Sequence, residues 1–360
     1  MSGTPLVRRD PPRPAGHGAE AEKSRTARGR GALVLGLLGC LFVLLLAVAA
    51  SLLIGSGQVG FGDVVHAVFD RDPADKGQLV VHEVRVPRTV VGLLAGVGLG
   101  LAGTVMQGVA RNPLADPTLL GVNAGASLSV VLAISVVGLT SSSQYIWFGF
   151  LGALLAALLV YGVGSLGREG ATPVKLALAG TATTAVLQAL TNAVLLRDRQ
   201  SYDQFRFWQV GSLSARDGAV LWQALPFVVA GGVLALLLGP QLNALSLGDD
   251  VARGLGQRVG LVRAGSAAAV VLLCGASVAV AGPIGFLGLA VPHVARLFTG
   301  PDYRWVLPYS AVLAPTVLLL ADILGRVVAR PGEVQVGVIT AGLGCVPFIW
   351  LVRRRKLVEL

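Results

Sequence analysis

Long uncharged runs alternate with short polar stretches along the chain, and the polar stretches mark where each run must leave an apolar environment. The first run, Ala32 to Ile54, is long enough to cross a bilayer as a helix at about 20 residues per crossing. Small residues at 47–51 look like a cleavage site, but a leader's apolar run is about 7 to 15 residues, so a retained helix is predicted. Gly55 to Arg88 carries charges of both signs and reads as the first extramembrane loop. Thr89 to Ala110 is a second span, followed by a turn at Arg111 to Pro117. No charge then occurs until Arg168, which leaves room for two spans divided at the polar break Gly138 to Gln144. Leu176 to Leu196 and Gly218 to Leu238 are the fifth and sixth spans. Between them, Arg197 to Asp217 carries Tyr202, Phe205, Phe207 and Trp208, side chains that suit the headgroup layer.

Gln241 to Arg263 is a charged island between two long apolar runs. Gly248, Gly254, Gly256 and Gly260 punctuate its helix formers, which predicts short helices joined by bends. Beyond it, Ala264 to Ala295 is uncharged but interrupted at Gly282-Pro283, and Trp305 to Ala321 and Val334 to Val352 are the last two spans. Both ends of the chain are basic, the second through Arg353, Arg354, Arg355 and Lys356. Basic flanks favour the cytoplasm. Two cytoplasmic ends require an even number of crossings, so the Gly282-Pro283 break separates a seventh span from a short eighth, for about ten in all.

Composition agrees: 54% of residues are hydrophobic and 13% charged, where a soluble domain averages roughly 25% charged. The chain is therefore read as an all-α polytopic membrane protein. On the ten-span topology the net charge of +10 falls on the cytoplasmic side and the outer face is near neutral. Residues 1–31, rich in Pro, Gly and basic residues, read as a disordered tail. A basic tail directly before a span is what topology alone produces, so no nucleic acid is expected as a partner. The outer arginines are more numerous than topology requires.

The chemistry is sparse. No G-x-x-x-x-G-K-[S/T] loop is present to cradle ATP phosphates, and no H-E-x-x-H. Cys40, Cys274 and Cys345 lie far apart inside apolar runs, and His293 has no second ligand near it in sequence, so neither metal nor cofactor is expected. Ion-coupled carriers keep carboxylates at mid-membrane. Here Asp322, at the end of the ninth span, is the nearest case, and Arg326 one helical turn later is placed to neutralise it. No catalytic pair stands inside a span. Gly92, Gly96, Gly100 and Gly103 form a small-residue stripe suited to close helix packing. A small-residue bundle without ion site or motor draws its energy from outside the chain.

Two blocks carry a resemblance. Arg85 to Ser127, RVPRTVVGLLAGVGLGLAGTVMQGVARNPLADPTLLGVNAGAS, and Gly282 to Trp350, with GPIGFLGLAVPHVARLFTGPD, LLLADILGR and GVITAGLGCVPFIWL, resemble the FecCD family. These are permease subunits of binding-protein-dependent ABC importers for ferric siderophores, haem and vitamin B12. The resemblance spans residues 33–356. It implies a type II ABC importer permease fold over 32–356 in a bacterial cytoplasmic membrane. It also implies dimerisation with an identical or paralogous permease, two separate ATP-binding cassette subunits below, and an extracytoplasmic siderophore-binding protein above. The segment that docks into the ATPase in that family matches Ala244 to Val259, hence Leu247, Gly248, Asp249, Val251, Ala252, Arg253, Leu255 and Gly256. Arg85, Arg88 and Arg326 match outer-face arginines that meet carboxylates of the binding protein. The RFWQVGSL stretch resembles the ferric-siderophore branch, of catecholate type, with haem or vitamin B12 as the alternative cargo.

Overall fold

The computed structural model describes residues 29–55, 60, 62, 64, 66–67, 75–166, 172–214, 218–330 and 332–354. Most of the expected basic tail and the middle of the first loop lie outside them. All regular structure among the described residues is helical. Seven helices are long and apolar enough to cross a membrane: α1 (Arg30–Leu53), α2 (Lys76–Ala110), α4 (Ser142–Gly164), α5 (Pro173–Leu195), α7 (Gly218–Leu237), α10 (Val259–Ala281) and α12 (Tyr303–Val328). Three shorter apolar helices, α3 (Val122–Ser135), α11 (Leu287–Thr299) and α13 (Val336–Arg354), stand where the remaining spans were expected. The ten apolar helices match the expected segments in order.

The bundle is organised around α2, which has 78% of its apolar window buried. Its glycine stripe is the cause. A Cβ at Gly92 would lie 2.6 Å from Leu319, and one at Gly96, Gly100 or Gly103 would overlap Pro315, Ala314 or the Gly288 backbone. Backbone therefore meets backbone where α2 crosses α11 and α12, so dispersion rather than side-chain bulk holds the contact. α1 and α5 sit at the periphery, with 11% and 17% of their windows buried.

The second helix begins earlier than its apolar run. Asp75 caps it, accepting from Gly77 N at 2.7 Å and Gln78 N at 3.2 Å, and one π-turn at Val81–Arg85 leads into the span. Arg85 and Arg88 consequently lie inside a continuous helix and not in a loop before it.

The Gly282-Pro283 break does end a helix. Gly282 has φ 74°, and the carbonyl of Ala281 accepts from Ser212 N at 2.8 Å. That clamp comes from the loop after α6 (Arg199–Gln209). The aromatic residues expected at the headgroups divide accordingly: Tyr202 is exposed, whereas Phe205 and Trp208 are buried, with ring centroids 5.6 Å apart. The end of α6 lies against the break, where a Cβ at Gly282 would overlap the carbonyl of Trp208.

Candidate coupling and docking sites

The charged island folds as short helices, α8 (Gly239–Ser246) and α9 (Asp249–Gly254), before α10 begins at Val259. Gly248 and Gly256 supply the bends, with φ of 110° and 82° that side-chain-bearing residues rarely adopt. Val251 and Leu255, one turn apart, share a face of α9, and with Leu247 on the other side of the Gly248 bend they are 50%, 64% and 64% exposed. Ala252 faces the other way and is fully buried. Asp249 fixes the segment to the bundle: it pairs with Arg263 of α10 at 2.8 Å and with Arg111, at the end of α2, at 3.3 Å. Arg253 faces solvent with Asp250 at 2.8 Å. Together these residues make an aliphatic patch held rigidly on a charged support, which is how an interface anchor is presented.

Sequence reasoning missed the residues behind that patch. Asn243 on α8 donates to Asp302 Oδ1 at 2.5 Å and accepts from Tyr303 N at 2.8 Å. Arg296 of α11 donates to Gln107 of α2 at 2.7 Å and lies over the Tyr303 ring, 5.7 Å from its centroid. An Asn between Leu242 and Ala244 was the available signal, but its partners lie 59 and 60 residues away in the chain.

At the opposite end of the bundle, the structure brings the three outer arginines together and corrects where they sit. Arg85, Arg88 and Arg326 are 4%, 5% and 2% exposed, not displayed on a rim. The reason is the C-terminus of α1. A helix end leaves unpaired carbonyls and a partial negative charge, and α1 has no basic residue in its last turn. Arg85 donates to the carbonyls of Leu52 and Leu53 at 2.6 and 2.9 Å, and Arg326 to those of Ser51 and Ile54 at 3.0 and 2.7 Å. Arg330 reaches the carbonyl of Gly55 at 3.1 Å. Arg88 grips Asp322 through Nε and Nη2 at 2.9 and 2.8 Å, and Glu333 through Nη1 at 2.6 Å. Arg326 pairs with the same Asp322 at 3.1 Å, as the one-turn spacing predicts.

Asp322 is thus held in two ion pairs. His293 hydrogen-bonds the carbonyl of Pro113 at 3.0 Å, the packing role a lone histidine suggests. No cluster of His, Cys, Asp or Glu able to hold a metal occurs among the described residues.

Ten apolar helices packed on a glycine-striped core, with an aliphatic patch displayed on a charged segment between two of them, define a polytopic membrane protein. The chain belongs to the FecCD transport family, whose model matches residues 43–354. It is 46% identical to the ferric enterobactin transport system permease protein FepD of Escherichia coli (strain K12), over 88% of this chain and 94% of that one. It is 42% identical to the probable siderophore transport system permease protein YfiZ of Bacillus subtilis (strain 168), over 88% and 96%. Its fold matches a metal-chelate type ABC transporter solved in an inward-facing conformation, with a TM-score of 0.77, 26% identity, and coverage of 88% of this chain and 98% of the other. The expected family and the type II importer permease fold are borne out. The protein is an integral membrane permease of the bacterial inner membrane, and membership of this family implies ATPase and binding-protein partners.

Proposed function

We propose that this chain carries a ferric siderophore of catecholate type across the cytoplasmic membrane, as one of two permease subunits driven by separate ATP-binding cassette subunits. The cargo reading rests on the likeness to the ferric enterobactin permease. A relative that carries hemin, from Yersinia pestis, is 34% identical, which leaves haem as the second choice. The observation that carries the mechanism is the exposed face of Leu247, Val251 and Leu255 on a segment pinned through Asp249 and Ala252. Exposed aliphatic residues on a rigid charged segment suit an ATPase groove, with Gly248 and Gly256 setting the bends and Arg253 at the rim.

The partner permease, identical or paralogous, is assigned to the side of α5. That helix is the least hydropathic of the seven long spans, and its exposed positions include Thr181, Ala182, Ala185, Ala189 and Asn192. They stand beside exposed Val174, Leu178, Val186 and Leu190, a mixed surface that suits a protein partner better than lipid alone. With ten crossings both termini lie on one side, and their basic residues assign that side to the cytoplasm.

The binding protein is assigned to the opposite face, where Glu333 keeps 30% of its side chain exposed and Arg330 is exposed. Arg85, Arg88 and Arg326 lie beneath, and take up carboxylates of the binding protein only by exchange with Asp322, Glu333 and the carbonyls of α1.

Leu255→Asp tests the motor contact. Losing a well-packed anchor costs on the order of 2 kcal/mol or more, so the variant should insert normally and lose its ATPase subunits on purification. Full retention of the ATPase with normal uptake would show that this segment does not dock it.

A further inference from the structure

We propose that Asn243 is the joint through which movement of the coupling segment reaches α12, a positioning residue that touches neither cargo nor nucleotide. The inference rests on the reading of α8 and α9 as the ATPase contact and goes beyond it, because it says how the motion leaves that contact.

A helix begins with N–H groups that have no partner inside the helix, and the residue that caps it sets its direction. Asp302 caps α12, accepting from Arg304 N at 3.0 Å. The same Oδ1 accepts from Asn243 Nδ2 at 2.5 Å, while Asn243 Oδ1 takes the N–H of Tyr303 at 2.8 Å. One primary amide on α8 therefore holds both the cap and the first N–H of α12. Two contacts from one planar group fix orientation as well as distance, so a tilt of α8 is imposed on the start of α12. The surroundings do not slip: Leu242 and Leu245 are fully buried, and a Cβ at Gly108 would lie 3.2 Å from the Tyr303 ring.

α12 carries that motion outward. At 26 residues it is about 39 Å long by its helical rise, and near its far end Asp322 and Arg326 hold α2 and the end of α1. Pro308 and Pro315 interrupt its hydrogen-bond ladder on the way, which lets it bend as it is driven.

The test uses the assembled transporter in proteoliposomes, with ferric enterobactin as the probe, and reads uptake, ATP hydrolysis and retention of the ATPase subunits. Asn243→Asp sets a carboxylate against Asp302. It should keep the ATPase subunits bound and hydrolysing while uptake per ATP falls about tenfold, the scale of a lost coupled pair. Combining it with Asp302→Asn reverses donor and acceptor. Once the amide at 302 turns to give its oxygen to Arg304 N and its nitrogen to position 243, the carboxylate at 243 accepts from both that nitrogen and the Tyr303 N–H, so coupling should return.

Unchanged uptake per ATP in the single variant would overturn the joint. So would a double variant that stays uncoupled, or a single variant that sheds its ATPase subunits, which would assign Asn243 to assembly. If instead Leu255→Asp keeps both ATPase and uptake, it is the docking reading of the segment that fails.

Discussion

Arg326 spends one guanidinium on the end of a helix it does not belong to. Its Nη1 serves the carbonyls of Ser51 and Ile54 and its Nη2 serves Ser51 Oγ and Asp322. Stripping water from such charges is expensive, and the attraction offsets that cost only while each group keeps its partners. Asp322→Ala leaves Arg88 with Glu333, and Arg326 with the carbonyls of Ser51 and Ile54 and the Ser51 hydroxyl. A loss of about 3–5 kcal/mol is expected for a buried pair broken from one side, read as a large drop in the unfolding midpoint of the purified protein in detergent. An unchanged midpoint would mean the network is solvated in the membrane. The same reasoning makes Arg85→Glu with Arg88→Glu an assembly defect before it is a docking defect. Half of this network was legible in the sequence. The Asp322 and Arg326 spacing announces a pair, but Arg88 and Asp322 are 234 residues apart and nothing local links them. An arginine before an apolar run looks the same whether it snorkels to water or caps another helix.

Among the elements, the apolar runs were legible because each must fill a bilayer's width with uncharged residues. The start of α2 was not, because Arg85 and Arg88 find partners inside the protein and so continue the helix instead of ending it. The burial of Phe205 and Trp208 was hidden for a related reason: an aromatic segment beside a span suits either a headgroup layer or packing against neighbouring helices, and only the tertiary contacts decide. The glycine stripe of α2 was readable, and its meaning is position-specific. Gly103→Ala would force apart α2 and α11, where overpacking costs about 1–3 kcal/mol. Gly39 in α1 has no atom within 4 Å of where a Cβ would go, so Gly39→Ala should be neutral or gain about 0.5–1 kcal/mol of helix stability. Denaturant titration of the two variants checks the contrast, and equal effects would contradict the close crossing of α2 and α11.

At the scale of the whole molecule, the described residues hold two equipped ends joined by one long helix. The aliphatic patch of α8 and α9 at one end and the buried arginine network at the other are tied through α12, and the carboxylate buried within that network, Asp322, is occupied by two arginines. A proton or sodium cycle needs a carboxylate free to change its partner at mid-membrane. The central claim, that transport is driven from outside this chain, is tested most directly in proteoliposomes that hold the permease with or without its ATPase subunits and binding protein. Uptake of ferric enterobactin should require ATP and all the partners, and imposed proton or sodium gradients should give none. Accumulation driven by an ion gradient through the permease alone would contradict the account.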